Sequence, residues 1–566
     1  MRHTLAILLL ATFSAVAGGV AGAQSYQITQ GGTGLGSFRV TLTQGASGIV
    51  SDSRLKLAGI ADLTDHLVTD ADGYARSYRL DGTAHGAALT LDVALTPSQA
   101  SITLRQGNHT QTLAVPLPGP VLILDNSMLD GWQILASRLD AGSAQPQRFA
   151  VLVPQVARTG TVTVSAAGSG SVTVGGTALQ AERYDASLDV GGQAVGLTLW
   201  VDAGGRVVVF AQPSASLRYE LETASSQAAA AKRQASERAA QDALEQHLAS
   251  ERSCLSEHDV SIRSTGQTLA GTLTVPSGEG RKPALLLLPG SGAVDRNGNA
   301  PPIIGNGMYR QLAYALGCQG YAVLRIDKLG IGASTGDGNA VTLQTYVRNT
   351  ADWLAFLRSR PDIDPRRVGL MGHSEGGLVA LASAVQPGVA PAVVVLLESP
   401  GIPMDRLLVD QMARLAQLRG AAPSEVAALR AQAQQAVDAI EASSGTTMTL
   451  TGELASNPIA AGLAHAAGLL RSEFAVDPAA LAARVSAPML VVQGGKDVQV
   501  LPRNGQALAK AAPHATYLFI PDLEHDLYRT AGSAIDDAVP GAGTRISTTL
   551  LDALRAYLAG YLLAAG

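Results

Sequence analysis

Two different patterns of hydrophobic and polar positions divide the chain. Between about residues 25 and 222, short segments alternate apolar with polar or β-branched residues, and clusters of Gly, Asn, Asp and Ser separate them. This pattern predicts antiparallel strands. From about residue 257, short apolar runs alternate with segments of helical spacing, which predicts a mostly parallel sheet covered on both faces. We therefore expect an α/β domain preceded by a mainly antiparallel β domain, either a twisted sheet or an open barrel.

Individual elements follow from the same patterns. In the N-terminal region we expect strands at Phe38–Leu42, Ala88–Val93 and Thr161–Val164, and a hairpin at Gly196–Phe210. Ligands of parallel sheets bind beyond the carboxyl ends of the strands, so polar residues at those ends are the candidates for chemistry. The C-terminal region predicts strands at Asp259–Ser264, Thr268–Val275, Ala284–Leu288, Ala322–Asp327, Val368–Met371, Val393–Leu397, Met489–Gln493 and Thr516–Ile520, and helices at Met308–Leu316, Leu343–Leu357 and Leu378–Val385.

Two helical segments interrupt these patterns. Ser225–Leu255 is rich in Ala, Gln, Glu and Arg and contains neither Gly nor Pro, so we expect a connecting helix of about 25 residues. Between about residues 401 and 480, amphipathic helices are predicted at Met404–Leu418, Ser424–Ser443 and Ala460–Leu470. We interpret this insertion as a cap over the carboxyl edge of the sheet. A helical subdomain without a role in substrate access is the alternative.

The N-terminus has the features of a secretory signal. Basic residues precede an apolar run at Leu5–Ala17, and small residues at Ala21 and Ala23 form a cleavage site before Gln24. We therefore expect export to the periplasm or the medium. The predicted organisation is a signal peptide at 1–23, a β-rich domain of unknown role at 24–222, a helical connector at 223–256 and an α/β domain at 257–566.

Charge and composition exclude several classes of protein. A net charge of −5 and a pI near 6.1 argue against nucleic-acid binding, and an apolar fraction of 46% argues against disorder. After the N-terminus, no apolar run reaches the ~18 residues of a membrane-spanning helix. Neither Cys254 nor Cys318 has a second Cys at ligand spacing, so we expect no metal site. The chemistry predicted below needs no cofactor. In an oxidising compartment the two cysteines permit one disulfide, but two buried thiols fit the sequence as well.

The pattern G-x-S-x-G occurs twice, and its context separates the two matches. Gly372–Gly376 follows an apolar strand and opens an apolar helical segment, which is the strand–turn–helix context of a nucleophile elbow. Gly332–Gly336 is followed by a loop. We predict Ser374, not Ser334, as a nucleophile. The tight turn around Ser374 explains the glycines at 372 and 376.

A serine nucleophile needs a base, and three histidines follow Ser374 in the chain. His465 lies in the inserted helices, and His514 precedes the strand Thr516–Ile520 at its amino end. His525 follows that strand, at the carboxyl edge where ligands bind. We therefore predict His525 as the general base.

The acid that orients His525 is expected after another strand at the same edge. Asp497 follows the strand Met489–Gln493, and Glu398 follows the strand Val393–Leu397 and is its rival. We favour Asp497, because the strand Met489–Gln493 runs directly into Gly494-Gly495-Lys496-Asp497, and this choice fits the chain order Ser, acid, His. Three carboxylates are too close to His525 in sequence to orient it easily: Asp522, Glu524 and Asp526.

A glycine-rich turn is predicted to complete the site. The buried strand Ala284–Leu288 ends in Pro289-Gly290-Ser291-Gly292, and glycine there lets backbone N–H groups approach a developing negative charge. We predict the N–H groups of Ser291, or a neighbour, and of Glu375 as the two oxyanion donors.

Residues from about 258 to 566 resemble an α/β-hydrolase of the serine esterase type. The resemblance implies the α/β-hydrolase fold and a bacterial branch described as acyl-thioesterase-like or serine-aminopeptidase-like. It does not cover residues 25 to 222, and Asp295 and Arg296 match its turn motif without a role beyond holding the turn. The segments that carry it are LLLLPGSGAVDRNGN (285–299), RIDKLGIGAST (325–335), GHSEGG (372–377), GGKD (494–497) and LEHD (523–526).

The expected activity is hydrolysis of small or medium carboxylic esters through an acyl-enzyme. Cleavage of amides by a peptidase or aminopeptidase, and of thioesters, remain open on the same three residues. From another class, a non-catalytic envelope binding protein whose β domain acts on its own also remains open. The oligomeric state is not predicted.

Overall fold

Strands form in the N-terminal region where the alternation predicts them. A computed structural model describes residues 22–563 except 31–32, 58–59, 85–86, 107–108, 126, 141, 301–303, 453, 455–456, 533–539 and 542. The predicted signal peptide therefore lies outside the described residues, apart from Gly22 and Ala23. The chain forms two compact units that divide between Arg233 and Gln234.

The N-terminal unit is built on one large sheet. Fifteen strands of the described residues join in the order β8-β7-β6-β5-β4-β3-β2-β1-β15-β14-β13-β12-β11-β10-β9. Neighbours are antiparallel except β9 and β10, which are parallel. The strands are β1 (Gly22–Gln30), β2 (Thr33–Gly45), β3 (Gly48–Leu57), β4 (Ala61–Thr69), β5 (Ala75–Ala84), β6 (Ala87–Leu95), β7 (Gln99–Gln106), β8 (His109–Pro116), β9 (Leu122–Ile123), β10 (Gln147–Val153), β11 (Arg158–Val174), β12 (Thr177–Val190), β13 (Gln193–Val201), β14 (Val207–Gln212) and β15 (Leu217–Leu221).

Alternation along these strands produces one apolar core. This core includes Tyr26 and Ile28 of β1 and Phe38 and Val40 of β2, because every second side chain of a strand faces the same side of the sheet. The helix α1 (Asp130–Ala136) is buried along its whole length. Seven residues are too few to show a helical period in the sequence, so α1 was not predicted.

A long helix follows the first sheet. α2 (Ala224–Glu251) occupies most of the segment for which the sequence predicts a connecting helix. Its only buried apolar residues among those described are Leu244 and Leu248, near its C-terminal end, where they pack with Tyr314.

The C-terminal unit has an eight-stranded sheet with the order β16-β17-β19-β18-β20-β21-β22-β23 among the described residues. The first two strands run antiparallel to their neighbours, and the remaining pairs are parallel. The strands are β16 (Leu255–Ser264), β17 (Gln267–Pro276), β18 (Lys282–Leu288), β19 (Ala322–Ile326), β20 (Ile363–His373), β21 (Val394–Leu397), β22 (Met489–Gly494) and β23 (Thr516–Ile520).

Helices cover both faces of this sheet. On β18, Leu286 and Leu288 belong to the core on one face, and Leu285 and Leu287 to the core on the other, which explains the continuous apolar run. No helix among the described residues is both long and apolar enough to span a bilayer. Outside the insertion the helices are α3 (Met308–Gly317), α4 (Leu343–Ser359), α5 (Glu375–Ala384), α11 (Arg503–Ala511) and α12 (Thr548–Leu558).

The start predicted for α5 is wrong. The helix begins at Glu375 rather than Leu378, because Gly376 and Gly377 are helical despite their low propensity. A Cβ atom at Gly377 would lie 1.9 Å from Oγ of Ser399. The close packing of the turn against its neighbours, not helix propensity, therefore accounts for these two residues.

The inserted helices lie between β21 and β22, as predicted, but one of them is divided. The single helix expected at 460–470 is wrong, because the backbone carbonyl of Ala464 accepts a hydrogen bond from the N–H of Met448 and the N–H of Gly468 donates to Thr446. These contacts with a neighbouring segment interrupt the helix between α8 and α9. The helices are α6 (Met404–Leu418), α7 (Pro423–Ala442), α8 (Pro458–Leu463), α9 (Ala467–Phe474) and α10 (Pro478–Ala482).

A disulfide joins Cys254 to Cys318, with the two Cα atoms 5.2 Å apart. This separation lies within the usual range for a bridge. The sequence left this pairing open, and the structure links the start of β16 to the end of α3.

Candidate active site

Ser374 lies in a sharp turn between β20 and α5. Its φ is 53° and its ψ is −127°, a conformation that residues other than glycine adopt only under constraint. A Cβ atom at Gly372 would lie 2.2 Å from the backbone oxygen of Gly376, and one at Gly376 would lie 2.2 Å from a backbone oxygen of β18. Both positions therefore need glycine, and the turn has the strand–turn–helix form of a nucleophile elbow.

Ser334, in the second G-x-S-x-G match, has a different environment. Its Oγ accepts a hydrogen bond from the N–H of Ala270 at 2.9 Å and donates one to the backbone oxygen of Asp327 at 3.0 Å. It lies in a loop after β19 rather than between a strand and a helix. This hydroxyl fastens the loop to β17.

His525 and Asp497 are hydrogen bonded to each other at the carboxyl edge of the sheet. Nδ1 of His525 donates to Oδ2 of Asp497 at 2.8 Å. Oδ1 of Asp497 accepts from the backbone N–H groups of Gln499 and Val500 at 2.7 Å each, so the carboxylate is held on both oxygens. Because Nδ1 carries the proton, Nε2 is the acceptor of the neutral ring. Nε2 is the atom that takes the proton of a nucleophile in a triad.

The rival histidines and one rival carboxylate lie elsewhere. His465 is exposed between α8 and α9, and His514 is exposed before β23, at the opposite edge from His525. The carboxylate of Asp522 accepts a hydrogen bond from Nε of Arg529 at 2.6 Å. Asp497 is therefore the carboxylate that the structure places on the ring of His525.

Glu398, the chief rival to Asp497, lies directly beside it. Its Oε2 accepts hydrogen bonds from Nε2 of Gln493 at 2.8 Å and from the N–H of Gly494 at 2.9 Å, and its Oε1 has no hydrogen-bond partner within the described residues. Burial raises the pKa of Glu398 well above its usual range, and the negative charge of Asp497 raises this pKa further. The shift favours the neutral form of Glu398, and its hydrogen bonds go to Gln493 and Gly494 rather than to the ring of His525.

His373, between Gly372 and Ser374, was not singled out from the sequence. Its Nε2 donates to the backbone oxygen of His525 at 2.8 Å, and its Nδ1 lies 2.8 Å from the hydroxyl of Tyr309. A carbonyl only accepts, so the proton of His373 is on Nε2 and Nδ1 accepts from Tyr309. Burial lowers the pKa of His373 to about 3, so the ring is neutral. The one signal in the sequence is a polar residue at the end of an otherwise apolar strand.

The glycine-rich turn after β18 lies beside the nucleophile elbow, because β18 pairs with β20. A Cβ atom at Gly290 would lie 3.2 Å from the Cβ of Ser374. Ser291 is the next residue, and Glu375 is the first residue of α5, whose N–H has no acceptor within its own helix. The structure thus brings the two residues predicted as oxyanion donors to the segments that adjoin Ser374.

A buried lysine, which the sequence did not single out, connects these two segments. Nζ of Lys328 donates to the backbone oxygen of Gly290 and to Oε1 of Glu375, at 2.8 Å each. Glu473, on α9 of the insertion, is fully buried and interacts electrostatically with Glu375 and Lys328. The insertion therefore reaches the carboxyl edge of the sheet next to the elbow.

Asp295 and Arg296 hold the same glycine-rich segment in place. Oδ1 of Asp295 accepts from the N–H groups of Asn297 and Asn299 at 2.8 and 2.9 Å. The guanidinium of Arg296 forms an ion pair of 2.6 Å with Asp327, which follows β19. These contacts give the two residues a structural role in the turn.

Three carboxyl groups act on the proton affinity of His525. Burial lowers the pKa of His525, but the charges of Asp497, Asp526 and Glu524 and the hydrogen bond to Asp497 outweigh burial and raise it to about 9. Burial in turn raises the pKa of Glu524 to about 8 and that of Asp526 to about 6. The ring is therefore a stronger base than a histidine in water.

These residues form a set that can carry out acyl transfer. One edge of the sheet carries a strained serine, a histidine with a fixed tautomer, a buried aspartate and a glycine-rich turn. These are the parts of a Ser-His-Asp site. No group of three or more His, Cys, Asp or Glu side chains within the described part of the chain is arranged to hold a metal ion.

Comparisons with known proteins agree with the motifs. Residues 306–530 match the family model described as serine aminopeptidase, S33. The chain is 24% identical over 272 residues to esterase EstD of Thermotoga maritima, a match that covers 48% of this chain and 59% of that relative's length.

Solved structures give more distant matches. The ferulic acid complex of Est1E from Butyrivibrio proteoclasticus has a TM-score of 0.36 and 14% identity, covering 54% of this chain and 99% of that one. An esterase of Pyrococcus furiosus has a TM-score of 0.36 and 15% identity, and the match covers 55% of this chain and 91% of that one. The resemblance predicted from the sequence is confirmed: the C-terminal part of this chain is similar to the serine aminopeptidase S33 family of α/β-hydrolases and to a curated esterase.

Proposed function

We propose that this protein is a serine hydrolase that cleaves carboxylic esters, with Ser374 as the nucleophile, His525 as the general base and Asp497 as its orienting acid. The hydrogen bond of 2.8 Å between His525 and Asp497, at the sheet edge that also carries the strained Ser374, is the observation that supports it most. The match to esterase EstD supports the choice of an ester.

The proposed reaction has two steps. Oγ of Ser374 attacks the ester carbonyl carbon and passes its proton to Nε2 of His525, which returns that proton to the departing alkoxide as the acyl-enzyme forms. Water then attacks the acyl-enzyme and loses a proton to Nε2, which passes that proton to Oγ of Ser374 as the carboxylic acid leaves. The N–H groups of Ser291 and Glu375 would stabilise the negative oxygen in both steps.

The inserted helices are proposed to cover the substrate, which would enter beneath them as a small or medium ester. Glu473 on α9 is fully buried within electrostatic range of Glu375, one residue after Ser374, which supports a place for the insertion next to the elbow. We also propose that the protein is exported. The disulfide between Cys254 and Cys318 supports this, since such bonds persist mainly in oxidising compartments.

Amide hydrolysis is the second candidate activity, and the description of the matched family as a serine aminopeptidase favours it. The same nucleophile and base serve both reactions. Matched p-nitrophenyl ester and p-nitroanilide substrates with the same acyl group separate the two, because only the leaving group differs. A peptidase would show substantial kcat/KM on an anilide whose acyl part is an amino acid, whereas an esterase would turn over the ester and leave the anilide almost uncleaved.

Turnover of p-nitrophenyl esters by the wild type, Ser374→Ala and Ser334→Ala tests the proposal. We expect Ser374→Ala to lose activity by about 10⁴-fold or more and Ser334→Ala to keep its kcat, provided that its loop stays folded. Equal turnover by Ser374→Ala and the wild type would overturn the assignment. A folded wild type that hydrolyses neither esters nor anilides would favour the non-catalytic binding protein.

A further inference from the structure

Lys328 lies directly after β19 and is almost fully buried. Its Nζ lies between two segments of the candidate active site and donates one hydrogen bond of 2.8 Å to each, to the backbone oxygen of Gly290 and to Oε1 of Glu375. It also lies 5.2 Å from the centre of the Tyr346 ring. A buried cation is costly unless it is paired, so its placement between these two segments needs an explanation.

The bond to Gly290 determines where the N–H of Ser291 points. The carbonyl of Gly290 and the amide of Ser291 belong to one planar peptide group, in which C=O and N–H point in opposite directions. A cation that holds the oxygen on one side therefore directs the N–H to the other. The N–H of Gly290 itself donates to the hydroxyl of Tyr309 at 2.9 Å, so the neighbouring peptide group is held as well.

The bond to Glu375 acts on the second predicted donor. Glu375 is the first residue of α5, and its carboxylate is anchored on Lys328 while its backbone N–H adjoins Ser374. One ammonium group thus contacts the carbonyl of the Gly290–Ser291 peptide group and the side chain of Glu375. We propose that Lys328 is a positioning residue that orients the Gly290–Ser291 peptide and Glu375 so that both N–H groups face the developing oxyanion. This inference rests on the proposed function of Ser374.

The surroundings of Lys328 keep it charged. Burial lowers the pKa of Lys328, but the charge of Glu375 and its hydrogen bond outweigh burial and raise the pKa above its ordinary value. Burial raises the pKa of Glu473 well above its usual range, and the charge of Glu375 adds to this shift. Neither oxygen of Glu473 has a hydrogen-bond partner within the described residues. A protonated Glu473 leaves the pair of Lys328 and Glu375 balanced in charge.

The test compares two variants that each remove one buried cation. Lys328→Met removes the ammonium group from the turn. Arg325→Met is the matched control, because Arg325 is 2% exposed on β19 and is bonded to Glu257 and Asn297 rather than to Gly290 or Glu375. For each variant, kcat and KM are measured on an ester and on its thionoester, in which sulfur replaces the carbonyl oxygen. Sulfur is a weak hydrogen-bond acceptor, so a working pair of donors favours the ester.

We expect Lys328→Met to lower kcat on the ester by about 10²-fold to 10³-fold, with KM changed less than about threefold. The preference for ester over thionoester falls about tenfold or more in Lys328→Met and is unchanged in Arg325→Met. Lys328→Gln, which keeps an N–H donor without the charge, recovers part of this preference. A folded Lys328→Met with the kcat and the ester preference of the wild type overturns the proposal.

Two further measurements distinguish a failure of this inference from a folding defect in Lys328→Met and from a failure of the proposed function. If Lys328→Met unfolds, the double variant Lys328→Met/Glu375→Gln is used, because it leaves no unpaired carboxylate buried, and the same loss of ester preference is expected. If the double variant keeps the wild-type preference for the ester over the thionoester, the proposal is contradicted. If the wild type itself fails to turn over esters and Ser374 does not react with a fluorophosphonate, the proposed function fails rather than the role of Lys328.

Discussion

Nε2 of His373 donates a hydrogen bond to the backbone oxygen of His525 at 2.8 Å. The residue directly before the proposed nucleophile therefore holds the loop that carries the proposed base, and the two rings lie with their centres 5.0 Å apart. Tyr309 fixes the other side of the His373 ring. The elbow and the histidine loop, which are far apart in the sequence, are thus joined by a side chain that does not itself need to react.

Replacement of His373 by Phe is predicted to lower kcat by about 10²-fold, because the loop of His525 loses its anchor and a small misplacement of a base has an effect of this size. His373 is already neutral, so the midpoint of the pH profile should not move. Steady-state kinetics of the variant and of His514→Phe, an exposed control, check this. Unchanged kcat in folded His373→Phe would show that the anchor is unnecessary.

The amide variants of Asp497 and Glu398 are predicted to differ sharply in kcat. Asp497→Asn removes the acceptor of the His525 proton and should lower kcat by about 10⁴-fold. The raised pKa of Glu398 favours its neutral form, and Glu398→Gln puts a neutral amide of similar shape in its place, so we expect kcat within about tenfold of the wild type. Kinetics of both variants decide the matter. A larger loss in Glu398→Gln than in Asp497→Asn would reverse the two roles.

The pH dependence should follow the raised pKa of His525. General base catalysis needs the neutral ring, and a pKa of about 9 means that this form increases as the pH rises from neutral to about 9. We therefore predict that kcat/KM rises with pH, with a midpoint above the ordinary histidine value of about 6.5.

Glu524 offers a matched variant for this profile. Its charge raises the pKa of His525, so Glu524→Gln should move the midpoint to lower pH, whereas His514→Phe should leave it in place. Profiles of kcat/KM between pH 5 and 10 measure both. If the pH profile of the wild type has its midpoint at or below the ordinary histidine pKa of about 6.5, the electrostatic description of the site is contradicted.

The disulfide is predicted to contribute to stability. The bridge closes a loop with a sequence separation of 64, and cross-links of this kind usually stabilise a fold by about 2–4 kcal/mol. Urea unfolding with and without a reductant should show this difference in the wild type. The double variant Cys254→Ser/Cys318→Ser should match the reduced protein and be insensitive to reductant. Equal stability in all four measurements would show that the bridge is not formed.

The parts of the site that depend on local sequence were predictable. Ser374 and Ser334 share a motif, but only one is flanked by a strand and a helix, and the positions of Asp497 and His525 follow from the strands before them. Lys328 and His373 were not predicted, because their roles arise from contacts with Gly290, Glu375 and His525, which the fold brings together from separate segments. The split between α8 and α9 was missed for the same reason, since a distant segment takes the backbone hydrogen bonds.

Ser374 as the reacting nucleophile is tested most directly by locating a covalent adduct in the wild-type protein. The protein is treated with a fluorophosphonate, digested and mapped by mass spectrometry, with Ser374→Ala and Ser334→Ala treated in parallel. We predict one phosphonyl group on the peptide that contains Ser374, labelling of Ser334→Ala as in the wild type, and none of Ser374→Ala. An adduct on another serine, with ester turnover lost together with that serine, would contradict the assignment.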